Sequence, residues 1–592
     1  MGDYLIVGEK AGSQASGARS TSLRDQCRAQ GFTVQSLGPR SWLAARGPRP
    51  LKTLTVGAWT LVGDVLNRNH RQLDPASDLE PHSYEKKLFS RFWGRFVGVR
   101  LRGEALDAVL RDPSGSLECV TWHDDDLVLV GSDIPGWITP TLPPQTRIDF
   151  NRVGLALADP IRVWSDLLLE GPRVVLPGSI LALPAEDPAT LLWRPDTFAH
   201  QSDRWDMAPA AAADLIAKAI DEAVAGLASL SRSLGCEVSG GLDSSVVAAS
   251  LTIAAKDKVR LWLNAWGDDT GADERRYVAD LGLQLGMAPT HVPRAQASLS
   301  EADLLSMSQG VRPGLNAMDW AYDAAWAAQW QAAGVDAVMT GKGGDSVLIQ
   351  AATADVFTDR FRSQGWRSIL SPDLPGLARL NQRSVWSLID EARRKSGTRL
   401  AGGEAAPGWA LTTATREELG PAHPWLSSDA ASGPAKTHQI AGIASGVSFS
   451  APSRQTAVVD VFHPLLAQPV VEAALSLSPA QLTLGAKDRG LVRLAFANRL
   501  PPSITHRRSK GDMTAFYGRL LAASLPVLRP WLLDGRLARE GLLDVAALEQ
   551  ALKPEVLLWR GGFGEIMIAA ALEGWVRVWA DRLSQAAKTL TA

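Results

Sequence analysis

From residue 1 to about 198 the hydrophobic positions come in short runs. "YLIVGE", "WTLVGDVL", "FVGVRL", "ALDAVLRD", "ECVTWH" and "DLVLVGSD" are separated by turn residues such as "DPSG". Runs of this length between Gly, Pro, Asp and Ser predict strands, and so a sheet-based layer structure. Between Pro195 and Pro209 the chain turns polar, and then Leu215, Ile216, Ala219, Ile220, Val224 and Leu227 recur at helical spacing. Beyond them, strand-like "CEVS", "VRLWLNAW" and "AVMTG" alternate with helical "SVVAASLTIAAK", "DERRYVADLGLQLG" and "DWAYDAAWAAQWQAAG". That is the βαβ rhythm of a parallel sheet with helices on both faces. The pattern predicts an α/β chain of two domains, 1–205 and 206–592. The Gly, Ser and Pro-rich stretch from Ser396 to Pro452 breaks the rhythm and is expected to include mobile loops, after which mostly helical segments close the chain.

Composition narrows the class. The 61 basic and 63 acidic residues are spread without a long like-charge block, which argues against a nucleic-acid partner. Cys27, Cys119 and Cys236 are widely spaced with no CxxC pair, so neither a disulfide framework nor a structural zinc site is expected. The short apolar run in "MGDYLIVGEK" does not make a signal peptide, and no apolar stretch reaches bilayer length without a charge. A cytoplasmic protein with no integral membrane segment is expected.

The chemistry is concentrated in "EVSGGLDSSVVAAS", Glu237 to Ser250. A strand, a glycine turn and a helix start put unpaired backbone N–H groups and a positive dipole end where an anion can sit. Gly240 and Gly241 allow close backbone approach, and Ser239, Ser244 and Ser245 add hydroxyl donors. Asp243 would repel a phosphate unless a cation lay between them, which suggests Mg²⁺ bridging it to a polyphosphate. A plain Ser/Asp cap after a tight turn is the simpler alternative for these residue types.

The string "SGGLDSS" resembles the pyrophosphate loop of ATP pyrophosphatases, and "AVMTGKGGDSV" is similar to the second glycine-rich loop of the asparagine synthetase superfamily. The resemblance implies that Gly341 and Gly343 flank the nucleotide and that Asp345 is a second Mg²⁺ ligand. The region from His463 to Asp512, with "PLLAQPVVE", "KDRGLVRLAFANRLP" and "RRSKG", resembles lasso peptide cyclases, a branch that closes a macrolactam on a short peptide. There Lys510 matches the superfamily lysine that contacts pyrophosphate; a cation aimed at the leaving group suits adenylate chemistry. Arg489, Arg493, Arg507 and Arg508 read either as a solvated helix face or as phosphate contacts. Asp273 and Glu274 match the family's helix after the second strand, or simply a charged helix start. Trp320, Trp326 and Trp330 offer aromatic surface for a peptide cavity but read more readily as core.

Glutamine-dependent members of the superfamily carry a cysteine after the initiator Met, as nucleophile. This chain has Gly2, while "FWGRFVGVRLRGEALDAVLRDPSG", with the turn at Arg111, Asp112, Pro113 and Gly115, still resembles their amidotransferase sheet. The resemblance therefore implies an Ntn-type N-terminal domain kept as scaffold and an amine supplied by the substrate. Lys342 and Ser346 stand where asparagine synthetases carry glutamates, and β-lactam synthetases carry a tyrosine at the first position. The implied function is ATP- and Mg²⁺-dependent closure of a linear core peptide, its Asp or Glu side chain joined to its N-terminal amine with release of AMP and pyrophosphate. The implied partners are a leader-peptide-binding protein and a leader peptidase. The rival readings are a β-lactam-synthetase-like enzyme and a non-catalytic nucleotide-binding scaffold.

Overall fold

The computed structural model describes all residues except 1, 11–13, 69–81, 185–186, 200–206, 268–272, 295–296, 316–319, 396–406, 412–420, 427–432, 508–510, 512, 561 and 592. The expected boundary between 205 and 206 lies outside the described residues. Among those described, the N-terminal strands form two six-stranded antiparallel sheets packed face to face. Strand Asp3–Glu9 runs inside the first sheet, between Leu127–Gly131 and Ser41–Arg46. Its side chains alternate. Tyr4 and Ile6 enter the core between the sheets with Val62, Val97 and Val109, while Leu5 and Val7 join Trp42, Leu129 and Trp575 on the outer face. Both faces are covered, so the strand reads as one continuous apolar run.

The second half is built on a five-stranded parallel sheet in the order Pro289–Pro293, Val259–Trp266, Leu234–Glu237, Ala337–Met339, Asp460–Phe462. Helix Leu242–Ala255 packs on one face and Trp320–Ala332 on the other. The alternation expected from the sequence is thus present. Helix Pro209–Ser229 lies between the two halves, where Ile216, Ile220 and Val224 share a core with Trp93 and Phe96 of the second antiparallel sheet. A buried charge cluster also crosses this junction. Arg95 donates to Asp460 at 2.8 and 3.0 Å and to Asp64, and Arg49 bonds the same two carboxylates at 2.6 and 2.7 Å. No helix among the described residues is long and apolar enough to cross a membrane.

Much of the stretch from Ser396 to Pro452, expected to include mobile loops, lies outside the described residues, and within it Pro434–Ser445 is a helix. Its start is capped from a distance: Asp359, on helix Ala354–Gln364, accepts the N–H groups of Ala435 and Lys436 at 3.1 and 2.9 Å. A cap 75 or so residues away leaves no local signature, which is why periodicity and composition miss it. The buried Lys436 ammonium donates to Gln439 and to the carbonyls of Leu475 and Leu477. Gln439 in turn donates to the Val347 carbonyl at 2.6 Å, so this helix braces the turn that follows the second glycine loop.

Burial pushes the Asp359 carboxyl up to about 7 against the backbone donors that favour its charge. Its folded pKa exceeds the unfolded value, so its contribution is fully present below about pH 4 and is lost as pH rises towards 7. Urea midpoints at pH 5 and pH 8 should therefore lie closer together in Asp359→Asn than in the native protein.

Candidate functional site

The first glycine loop leaves strand Leu234–Glu237 at the C-terminal edge of the parallel sheet and enters helix Leu242–Ala255, with Gly241 at its N-cap. The location is the usual one for ligands of such sheets. Gly240 takes φ 76°, where a side chain would meet Tyr277 and the Glu274 carbonyl. Much of the loop's hydroxyl chemistry is internal. The Ser244 hydroxyl accepts the Ser239 N–H at 3.1 Å and lies 3.0 Å from the Ser239 hydroxyl, and the Ser245 hydroxyl donates to the Gly241 carbonyl at 2.7 Å. Ser239, Gly241, Asp243 and Ser244 line the cavity above the loop; Gly240 and Ser245 stand behind it and set its shape.

The second loop follows strand Ala337–Met339 and meets the first by backbone contact. A Cβ on Gly341 would lie 2.5 Å from the Ser244 nitrogen, and one on Gly344 would lie 2.5 Å from the Asp243 carboxyl carbon. Gly343, at φ 89°, packs on Leu466 and does not line the cavity. Gly344 was not singled out from the sequence, although the doubled glycine before Asp345 was its only signal. In Gly341→Ala the methyl should force the loops apart and lower ATP turnover on the order of 10²-fold, the penalty for misplacing reacting groups by about 1 Å. Steady-state rates alongside circular dichroism will separate this from unfolding.

Asp243 and Asp345 come together on one guanidinium. Arg489 Nη1 lies 2.5 Å from Asp243 Oδ2 and 2.7 Å from Asp345 Oδ1, and Nη2 lies 3.2 Å from Asp488 Oδ2. Arg489 is 4% exposed, so the solvated-helix reading does not hold for it. It precedes a helix, Gly490–Ala495, that is shorter than the sequence pattern suggests. Burial works against its charge, yet Asp243, Asp345 and Asp488 hold its pKa above the ordinary arginine value. Arg493 donates to Asp488 and to the carbonyls of Ile504 and Thr505, fastening this loop to the next. Arg507 donates to the Gly240 carbonyl at 3.2 Å and pairs with Glu274 at 2.6 Å, tying that segment to the first loop. Asp273, by contrast, bonds only locally among its described contacts, accepting the Arg275 N–H at 3.1 Å. Lys510 and Arg508 lie outside the described residues.

His463, at the end of the last parallel strand, is a positioning residue that the sequence did not reveal. Phe449 O can only accept, so the 3.0 Å contact makes His463 Nε2 the donor and leaves Nδ1 to accept from the Thr340 hydroxyl at 2.7 Å. Burial, with the nearby Lys342 charge, lowers the His463 pKa to about 3 and keeps the ring neutral. Thr340 then accepts the Lys342 N–H at 3.2 Å, which fixes the start of the second loop.

Asp243, Asp345, Lys342, Arg489, Arg493 and Arg507 line a cavity of about 1200 Å³, in which seven basic side chains outnumber four acidic ones. Such a balance favours a polyanion. Tyr322 and Trp326 form part of its wall, while Trp330 is fully buried with its indole N–H on Gln455 at 2.9 Å. A small cavity of about 60 Å³ shares Glu237, Lys342 and Gln455 with it, and shares Trp320 with a further cavity of about 590 Å³ between the two halves. Non-glycine residues with positive φ gather here: Gln382, Ala486 and Arg489 line the large cavity and Ile349 adjoins it, out of six in the described chain. Backbone held in sparsely populated regions is concentrated at working sites.

The asparagine synthase family model matches residues 215–441 and 452–576, which takes in both glycine loops and Arg489. The chain belongs to the asparagine synthase family. No curated protein matches it. Membership implies an ATP-dependent amide-bond-forming enzyme, and the family's use of ATP agrees with a basic cavity over a strand–glycine–helix loop. Among the described residues no group of three or more His, Cys, Asp or Glu side chains is arranged to hold a metal ion. Two converging carboxylates nonetheless suit Mg²⁺, which keeps several waters and takes other ligands from substrate phosphates.

Proposed function

We propose that this family member is a lasso peptide cyclase, joining an Asp or Glu side chain of a linear core peptide to the peptide's own N-terminal amine. The convergence of Asp243 and Asp345, from two touching loops, on one large basic cavity supports the adenylating step, and the likeness of residues 463–512 to lasso peptide cyclases supports the peptide substrate. The cavity's volume exceeds that of most single-ligand sites, about 300–1,000 Å³, and so suits a nucleotide together with a second substrate.

Gly2 bears on the amine. A Cβ on Gly2 would lie 2.0 Å from the Arg46 carbonyl oxygen, and one on Gly47 would lie 2.3 Å from Gly2 Cα. The position that carries the cysteine nucleophile in glutamine-dependent relatives is thus closed by backbone. This supports an Ntn-type domain kept as scaffold and a nitrogen nucleophile belonging to the substrate.

In the proposed reaction the peptide carboxylate attacks the α-phosphorus of ATP, pyrophosphate leaves, and the amine displaces AMP from the acyl carbon. Mg²⁺ held by Asp243 and Asp345 would offset the polyphosphate charge. The backbone N–H groups of the first loop orient the phosphates, and the matching of Lys510 to the superfamily lysine assigns it the leaving pyrophosphate. Water competes with the amine for the acyl group, and holding the amine in place can be worth roughly 7–11 kcal/mol. A leader-peptide-binding protein and a leader peptidase would supply the core peptide.

The test is mass spectrometry of a core peptide encoded beside the gene, incubated with the protein, the two partner proteins, ATP and Mg²⁺. A peptide lighter by one water, with AMP and pyrophosphate formed, is the expected result. AMP with unchanged peptide would favour a β-lactam-synthetase-like enzyme acting on another substrate. No nucleotide turnover would favour a non-catalytic scaffold.

A further inference from the structure

We propose that Arg489 is the resident cation of the Asp243–Asp345 clamp, holding the two loops in register until Mg²⁺ enters and displaces it. The inference rests on the proposed metal role of the two aspartates and adds a positioning residue to it. A single nitrogen, Nη1, is shared by one oxygen of each carboxylate, at 2.5 and 2.7 Å, with the arginine side chain 5% exposed. The carboxylates would repel each other across the meeting point of the loops without a cation between them. A divalent ion drawn to the same oxygens would face a positive guanidinium at contact distance, so the two cations exclude one another there.

The loop that carries Arg489 holds its backbone in sparsely populated conformations. Gly485, Ala486 and Arg489 have φ of 71°, 53° and 49°, and two of these three carry a Cβ. Its backbone is held by few hydrogen-bond links that involve Lys487, Arg489 and Gly490: Lys487 N–H to Thr483 O, Arg489 N–H to Ile349 O and Gly490 N–H to Lys487 O, each 3.2 Å. Asp488 stays gripped by Arg493 at 2.6 Å, which keeps the loop over the cavity while the guanidinium moves. Released, the planar donor fork of Arg489 remains in the lining of a cavity suited to polyphosphate, whose oxygens it matches. One charge exchange would therefore admit the metal and free a phosphate ligand.

The experiment is a Mn²⁺ titration of the nucleotide-free full-length protein, read by electron paramagnetic resonance of free Mn²⁺. Arg489→Gln should bind Mn²⁺ at least about tenfold more tightly than the native protein, because a competing unit charge at contact distance is removed. Unchanged or weaker binding in a folded Arg489→Gln, as a merely structural arginine would give, overturns the inference. Adding Asp243→Ala to that variant should abolish the gain. If it does not, the bound metal lies elsewhere and both the inference and the metal assignment fail. Unchanged affinity in Arg489→Gln together with loss in Asp243→Ala sinks the inference alone. If Arg489→Gln does not fold, hydrogen exchange of the native protein decides: Mg²⁺ with a non-hydrolysable ATP analogue should raise exchange over residues 484–490, and unaltered exchange overturns the proposal.

Discussion

Asp243→Ala is expected to reduce ATP turnover by on the order of 10³-fold or more, since it removes one of the two carboxylates available to position charge against the polyphosphate. The effect should follow charge rather than volume. Asp243→Asn, which keeps the side chain's shape against the tightly apposed Gly344, should lose nearly as much. Asp345→Asn should lose less, because the Asp345 side chain is 40% exposed against 13% for Asp243, and exposed charges act through solvent. The fold should survive in all three, since Arg489 keeps at least two carboxylate partners. Pyrophosphate release measured over a Mg²⁺ series checks the order. Turnover in Asp243→Ala within tenfold of the native rate would falsify the clamp as the catalytic centre.

Arg95→Met should be the most destabilising single change at the junction of the halves, costing about 3–5 kcal/mol. The loss removes the guanidinium that bonds both Asp64 and Asp460, two carboxylates that are nearly inaccessible to solvent. Replacing both partners, Arg95→Met with Asp460→Leu, should cost less than Arg95→Met by itself, because Asp64 then pairs with Arg49 without a second buried carboxylate competing for it. Burial opposes the charge on both aspartates, but Arg95 and Arg49 hold their carboxyls below the ordinary range. Their contribution is therefore complete above about pH 4 and is lost as pH falls through the depressed folded values. Urea midpoints by tryptophan fluorescence, at neutral and acid pH, test both the size and the sign. A function test should follow, because Asp460 opens the short strand that delivers His463, and through Thr340 the Lys342 backbone, to the second loop.

The sequence by itself determined the parts of this protein that are local. Strand and helix alternation is written in periods of two and 3.6, and the turn residues between them are set by backbone sterics, so the sheets and the strand–glycine–helix loop were readable. Asp243 stood out because a carboxylate inside a phosphate-type loop needs a cation to explain it. Only the tertiary structure decided what depends on residues far apart in sequence. Arg489 looked like any arginine in a basic helix, and became the bridge between two loops because residues 243, 345 and 489 meet in space. Asp359 capping the helix at Pro434, Gly341 touching Ser244 and Gly2 pressed on Arg46 are likewise contacts between distant segments. Such contacts carry no period and no spacing, and their energies come from burial and close approach that exist only once the chain has folded.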